Sequence, residues 1–177
     1  SVVAVSGSGQ QHGSVYLRSC FGEKLSQLDS GQSLAEQIEG CLTRKSSPIW
    51  MDSSTSAECA EIASAVGGNG VVCAKSGSIA VERFTGSQIR KFFKTEPEAY
   101  VETGVIHLVS SYFASILAGR NVAIDRGDGA GMNLMNLASG EWDDDLVDAT
   151  ADGLKEKLPP VAPSNTNSGP ISSYFVQ

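Results

Sequence analysis

The stretch Val2-Val-Ala-Val-Ser-Gly-Ser-Gly-Gln-Gln-His-Gly13 joins an apolar run to a glycine-rich polar segment. A run such as Val2–Ser6 is typical of a strand that is buried on both faces. Gly7 and Gly9 predict that the carboxyl end of this strand opens into a tight loop. Because ligands of α/β proteins bind beyond the carboxyl ends of such strands, the loop at residues 7–13 is a candidate binding segment.

The glycines of this loop do not match two well-known functional motifs. Gly7, Gly9 and Gly13 lie at offsets of two and six, whereas the dinucleotide fingerprint needs two and five. A nucleophile elbow around Ser8 would need glycine where Ser6 stands. The loop does present three side chains that donate or accept hydrogen bonds, as binding of a sugar requires: Gln10, Gln11 and His12. A structural turn with a hydrogen-bonded histidine is the alternative, and the commoner, interpretation.

Helix and strand signals are mixed along the rest of the chain. A strand is predicted at Ser14–Leu17, and helices at Ser33–Leu42, Thr55–Val66, Thr85 to just before Pro97, Gly104–Ala118 and Asp143–Leu158. The clearest helix is the second, in which Thr55 and Glu58 form a capping box and Gly67-Gly68 follows the last turn. This mixture, without an internal repeat, predicts a single α/β domain.

Composition excludes several classes of partner. The chain has 177 residues, of which 41% are hydrophobic, and this suits one domain with its own core. Its 13 basic and 20 acidic residues give a net charge of −7, and no window is rich in Lys or Arg, so we expect no nucleic-acid partner. The longest apolar stretch, Val105–Ala118, is interrupted by polar residues and is shorter than a bilayer crossing of roughly 20 residues. We therefore expect no membrane span.

The cysteines and the chain ends suggest where the protein works and how much of it is present. The four cysteines form no C-x-x-C pair, which predicts free thiols in a reducing cytoplasm. The chain starts at Ser1 with an apolar run and stops inside the β-branched and aromatic run Ile171–Gln177. We therefore expect a domain that is incomplete at both ends.

Two further features have competing interpretations. The segment Asp125–Asn133 looks like a calcium loop, but its third and fifth positions are glycines and its twelfth is Asn136, which excludes an EF-hand. This segment is either a turn beside the active-site cleft or a plain surface loop, and the sequence does not favour one over the other. We predict no metal ligand in it. Arg83 lies between Glu82 and Phe84, where a salt-bridged or solvated arginine is the usual case and ligand contact is the alternative.

Several segments occur together in a characteristic order: Val3–Tyr16, Ser47–Thr55, Glu82–Ile89, Pro97–Tyr100, Gly127–Leu134 and Ile171–Tyr174. In this order they resemble the FGGY carbohydrate kinases, and within that family the eukaryotic members that phosphorylate D-xylulose. The resemblance covers nearly the whole chain. It implies an α/β fold of the ribonuclease H-like, actin-like ATPase class, with residues 1–177 forming most of the N-terminal domain.

The resemblance also implies the chemistry. ATP and Mg²⁺ are the expected cofactors, bound mainly outside residues 1–177, and D-xylulose is the expected substrate. By family pattern His12 and Arg83 contact the sugar hydroxyls, and Gln11 is a weaker candidate. The first strands and the segment with the general base are missing from the match, so we assign no catalytic residue to this chain. Kinases for another ketose or polyol, such as ribulose, and a non-catalytic carbohydrate-binding domain are the alternatives, and the sequence predicts no oligomeric state.

Overall fold

The computed structural model describes residues 2–176 as a mixed helix and strand structure. Its strands are β1 (Ser14–Leu17), β2 (Val105–Leu108), β3 (Ile124–Asp125), β4 (Met135–Asn136), β5 (Glu141–Trp142) and β6 (Val161–Ala162). Its helices are α1 (Phe21–Ser26), α2 (Leu34–Glu39), α3 (Ser56–Ala65), α4 (Asn69–Ser76), α5 (Thr85–Thr95), α6 (Pro97–Glu102), α7 (Val109–Ala118), α8 (Arg126–Ala130) and α9 (Asp144–Thr150). Short 3₁₀ turns occur at Lys155–Lys157 and Ser173–Phe175.

The antiparallel pair β1 and β2 separates two hydrophobic cores. Successive side chains of a strand point to opposite faces, so Tyr16 and its partner Ile106 face one core while Leu17 and Val105 face the other. The first core contains, among others, Tyr16, Ile89, Phe92, Ile106, Leu134 and Leu146. The second core contains Val15, Leu17, Phe21, Leu25, Ile38, Cys41 and Ile116. The remaining strands form two short pairs, β3 with β6 in parallel and β4 with β5 antiparallel.

The segment Val2–Ser6 is not the buried strand that its apolar run predicts. Its residues are exposed, with Val3 at 97% exposure, and the structure gives them no strand assignment. A strand needs a partner for its backbone groups, and within residues 2–176 no segment pairs with this one. The glycines that follow do pack closely, since a Cβ at Gly9 would lie 2.6 Å from the backbone nitrogen of Ser110.

The predicted helix at residues 104–118 is half right. Residues 105–108 form β2 because they pair with β1, and only Val109–Ala118 is helical. The Ser111 hydroxyl accepts a hydrogen bond from the Leu108 backbone N–H at 3.1 Å, which caps α7 at its start. Gly119 follows the helix with a φ of 69°, a left-handed conformation that suits glycine. Tertiary pairing therefore overrode the local helix pattern.

The helix at α3 is confirmed, but its capping box is wrong. The Thr55 hydroxyl donates to the Glu82 carbonyl at 2.6 Å instead of capping the helix, and Glu58 accepts a hydrogen bond from Lys94 at 2.9 Å. α5 ends at Thr95, just before Pro97 as predicted. α9 stops at Thr150, well before Leu158, and Gly153 after it has a φ of 66°. Four helices lie outside the predicted ranges: α1, α4, α6 and α8.

Two features of the fold concern segments that the sequence singled out. In the part of the chain that the structure describes, no helix is long and apolar enough to cross a bilayer. Asp125 is the N-cap of α8, where its carboxylate accepts hydrogen bonds from the backbone N–H groups of Gly127 and Asp128.

Candidate functional site

His12 lies where the glycine-rich loop enters β1. Its backbone has a φ of 65°, the left-handed region that few residues other than glycine adopt, and its side chain is only 8% exposed. The Thr85 hydroxyl donates to the His12 carbonyl at 3.2 Å and thereby ties the loop to the start of α5. A strained, buried histidine at a strand entry is the kind of residue that function explains better than folding does.

Two neighbours hold the imidazole of His12. Its ring packs against Phe84 with the ring centroids 4.7 Å apart. Its Nδ1 lies 3.0 Å from the carbonyl oxygen of Gly131, just after α8. Burial lowers the pKa of His12 below its usual 6.5, the Gly131 bond partly opposes this, and the nearby Arg83 charge lowers the pKa further. The ring is therefore neutral at pH 7 and suited to hydrogen bonding.

Arg83 lies near the same aromatic ring. Its guanidinium carbon is 5.6 Å from the centroid of Phe84. Within residues 2–176 the guanidinium makes no hydrogen bond or ion pair, and its neighbour Glu82 instead accepts a hydrogen bond from Ser56 at 3.1 Å. The salt-bridged interpretation of Arg83 is therefore wrong. The exposed cation is available to solvent or to a ligand.

The two residues predicted to bind sugar thus meet at Phe84, which sequence reasoning did not single out. The three are adjacent because Phe84 immediately precedes α5, whose first turn is bonded both to the His12 carbonyl and to the chain after α8. In the second of these bonds, the Gly86 backbone N–H donates to the Met132 carbonyl at 2.9 Å. In the sequence, the only signal for the contact of His12 and Arg83 with Phe84 is that this aromatic residue directly follows Arg83, which is predicted to bind sugar.

A cavity of about 290 Å³ opens beside Arg83. One wall is Val81–Arg83, and the other is Trp50–Ser53, part of a segment quoted in the sequence analysis. Trp50 and Met51 are 54% and 62% exposed, which is unusual for large apolar side chains. His12 is not a lining residue of this cavity, and Gln11 is exposed on the loop above β1. The cavity therefore adds an apolar wall to the arginine side of the site.

Asp128 provides the acidic neighbour of His12. The Ser110 hydroxyl donates to the Asp128 carboxylate, and burial raises the pKa of Asp128, an effect to which nearby Asp125 adds. The charge of Asp128 also raises the pKa of His12, although burial of the ring outweighs this effect. Asp128 lies in the glycine-rich segment 125–133, where no motif marks it as a site residue.

A larger cavity, of about 420 Å³, is lined by Ala65, Val66, Asp145, Asp148 and Ala149. It contains no arginine, histidine or aromatic side chain, so it is a poorer candidate for a sugar site despite its volume. The described residues also contain no group of three or more His, Cys, Asp or Glu side chains arranged to hold a metal ion.

Comparison with known families gives a direct match. Residues 41–177 match the model of the N-terminal domain of the FGGY family of carbohydrate kinases. The chain is 53% identical over 176 residues to "Xylulose kinase 2" of Arabidopsis thaliana and 47% identical to "Xylulose kinase" of Rattus norvegicus. Each alignment covers 99% of this chain but only 32% and 33% of those relatives, so the chain spans about a third of their length.

Solved structures show the same fold at lower identity. A ligand-bound xylulose kinase from Lactobacillus acidophilus superposes with a TM-score of 0.72 at 21% identity, covering 98% of this chain and 31% of that one. A Plasmodium falciparum glycerol kinase superposes with a TM-score of 0.68 at 18% identity, covering 93% and 29%. These likenesses confirm the predicted fold class, that of the actin-like ATPases, to which sugar kinases belong.

Proposed function

Because the chain belongs to the FGGY family of carbohydrate kinases, we propose that the intact protein phosphorylates D-xylulose. It would transfer the γ-phosphoryl group of ATP to the sugar and yield D-xylulose 5-phosphate. Identities of 40–53% to several relatives named as xylulose kinases, over 99% of this chain, support the choice of sugar. The runner-up is a kinase for another ketose or polyol, such as ribulose, because solved structures of the same fold include a glycerol kinase.

We propose that residues 1–177 form most of the N-terminal domain and contribute one wall of the sugar site. The observation that carries this proposal is that Phe84 contacts both a neutral, buried His12 and Arg83, whose guanidinium has no hydrogen bond or ion pair within residues 2–176. A guanidinium donates hydrogen bonds in a fixed fork, and an imidazole adds one more directional contact. Two such groups beside an apolar wall suit a small polyhydroxylated ligand better than a non-catalytic surface contact.

The role of this wall in the reaction is positioning. Phosphoryl transfer depends almost entirely on alignment and on charge stabilisation, so residues that fix the sugar hydroxyls contribute to the rate without exchanging protons. We assign no catalytic base to residues 1–177. Mg²⁺ would neutralise and orient the phosphates of ATP, but the described residues form no cluster that fits a metal ion, so no magnesium ligand is assigned here.

The free cysteines suit the proposed cellular setting. Cys20, Cys41, Cys59 and Cys73 are all unbridged in the structure. A reducing cytoplasm keeps thiols in this state and also supplies ATP. We therefore propose a cytoplasmic enzyme that acts on a free sugar.

A pair of titrations on the intact protein tests the proposal. Wild type and His12→Ala are titrated with D-xylulose and, separately, with a non-hydrolysable ATP analogue. We expect His12→Ala to weaken D-xylulose binding by about three- to tenfold, the value of a typical buried hydrogen bond, and to leave the analogue unchanged. His12→Gln retains hydrogen-bonding capacity, so it should weaken D-xylulose binding less than His12→Ala does.

Two outcomes would count against the proposal. Equal weakening of the sugar and the ATP analogue would show that His12 supports the fold and not the sugar site. Titration of the wild type with D-ribulose under the same conditions tests the runner-up. Tighter binding of D-ribulose than of D-xylulose would replace the proposed substrate.

A further inference from the structure

Gly131 has two contacts with His12 that together constrain the ring. Its carbonyl oxygen lies 3.0 Å from His12 Nδ1. A Cβ atom built on Gly131 would lie 3.1 Å from His12 Cε1 and 3.3 Å from Nδ1, tighter than ordinary van der Waals contact. Gly131 itself has an ordinary φ of −72°, so its backbone does not require glycine. A side chain there would press against the imidazole, which is the nearest neighbour, and against the Asp128 carbonyl oxygen at 3.3 Å.

We propose that Gly131 is a positioning residue for the sugar site: it selects the His12 tautomer whose Nε2 accepts a hydrogen bond from a sugar hydroxyl. The inference rests on the proposed function and names the role of His12 within it. Arg83 then acts as the donor of the pair and His12 as the acceptor. The sugar hydroxyl bound by His12 must be one whose hydrogen points toward the protein.

The tautomer follows from hydrogen-bond chemistry. A carbonyl oxygen can only accept, so the contact with Gly131 requires the hydrogen of the neutral imidazole to be on Nδ1. Nε2 then carries only a lone pair. Nδ1 is the ring atom with a partner in the structure, and Nε2 has none within residues 2–176. In a neutral ring of this kind, Nε2 is an acceptor without a donor.

Nε2 is also accessible. Among the described residues, the only fully buried side-chain nitrogen or oxygen atom without a hydrogen-bond partner is Asn133 Oδ1. The unpartnered Nε2 of His12 is therefore not sealed in the core, although the residue as a whole is 8% exposed. A nearly buried ring that leaves one acceptor atom within reach of solvent is arranged for a ligand.

The same turn contains a matched control for substitution. Gly129 lies two residues earlier in α8, and a Cβ there would lie 3.4 Å from Met135 Sδ and 3.7 Å from Trp142, which are ordinary contacts. Gly129→Ala and Gly131→Ala therefore introduce the same methyl group into the same turn. Only the second brings the methyl group against His12.

The first experiment determines the tautomer directly. The intact protein is labelled with ¹⁵N-histidine, and the His12 ring resonances are identified by their loss in His12→Gln. We expect a protonated Nδ1 and an unprotonated Nε2 in the wild type. In Gly131→Ala the His12 resonances should shift, and in Gly129→Ala they should not. A wild-type ring that is protonated on Nε2 alone would overturn the inference without any assay of activity.

The second experiment is a double-mutant cycle on D-xylulose kinetics. Gly131→Ala should raise KM about three- to tenfold in the wild-type background, with a smaller effect on kcat. In the His12→Gln background the same change should raise KM less than twofold, because the group it positions is gone. If Gly131→Ala raises KM as much in the His12→Gln background as in the wild-type background, Gly131 supports the fold in general. That result would overturn the inference.

The cycle also separates this inference from the proposed function. If His12→Gln leaves D-xylulose kinetics unchanged while the spectrum shows the Nδ1-protonated ring, the sugar-site assignment of His12 is wrong. The inferred role of Gly131 toward a sugar is then wrong with it, although the tautomer is correct. If His12→Gln impairs D-xylulose use and Gly131→Ala has no effect on kinetics or spectrum, the proposed function holds and the inference about Gly131 fails.

Discussion

His107 is buried in a way that should make the protein sensitive to acid. Its side chain is fully buried and lies on the β2 face that points toward Phe21 of the second core, with the two ring centroids 6.2 Å apart. Nδ1 lies 3.0 Å from Ser111 Oγ, and Nε2 lies 3.3 Å from Asn121 Oδ1. Burial lowers the pKa of His107 from 6.5 to about 4, and the Asn121 bond opposes this only in part.

The direction of the effect follows from the two pKa values. Because the folded-state pKa lies below the unfolded one, the unfolded chain binds the proton first as the pH falls. The stability is therefore complete above pH 6.5 and is lost progressively as the pH falls from 6.5 toward 4. The full difference corresponds to about 3 kcal/mol, of which about 2 kcal/mol is lost between pH 7 and pH 5.

The assay is urea unfolding at pH 7 and pH 5 for wild type and His107→Gln. We expect the unfolding free energy of the wild type to fall by about 2 kcal/mol more than that of the variant over this interval. The pKa of His12 is also lowered by burial, so it titrates in the same direction in both proteins and cancels in the comparison. An equal loss of stability in the two proteins would refute the reasoning, whatever the stability of the variant at pH 7.

Two further substitutions test the site and the core. Arg83→Ala should lower kcat/KM for D-xylulose about ten- to a hundredfold through loss of a charge-assisted hydrogen bond, while Lys24→Ala, an exposed cation on α1, should have no effect. An unchanged kcat/KM in Arg83→Ala would remove Arg83 from the pocket. Cys59→Ser on the buried face of α3 should lower the unfolding free energy by about 1–3 kcal/mol without changing sugar preference, and Cys73→Ser, an exposed cysteine, is its control. A changed sugar preference at equal stability would contradict the core assignment of Cys59.

Local signals were sufficient for some elements. α3 and α5 were predicted because apolar residues recur at helical spacing and because Gly67-Gly68 and Pro97 end the pattern. The predicted capping box is wrong, because the Thr55 hydroxyl donates to the Glu82 carbonyl, 27 residues away, instead of capping α3. The competition between a local cap and a distant carbonyl cannot be judged from spacing.

Non-local pairing decided the rest of the fold. Val105–Leu108 has a helical pattern in sequence, yet it became a strand because β1 offered it a full set of backbone partners. Conversely, Val2–Ser6 has the composition of a buried strand and remained exposed, because nothing within the described residues pairs with it. Composition indicates whether a segment suits a sheet, whereas the sheet itself is a property of two segments.

The sequence by itself determined the family, through a series of motifs in order, and it indicated His12 and Arg83 as sugar contacts by resemblance. Their roles remain predictions. Only the tertiary structure brought His12 to Phe84 beside Arg83, left the Arg83 guanidinium without a hydrogen bond or ion pair within residues 2–176, and set the Gly131 carbonyl against His12 Nδ1. The reason is physical. A motif shows which groups are present, but the protonation state, tautomer and unused hydrogen-bonding atoms of His12 depend on Arg83 and Gly131, which lie 71 and 119 residues away along the chain.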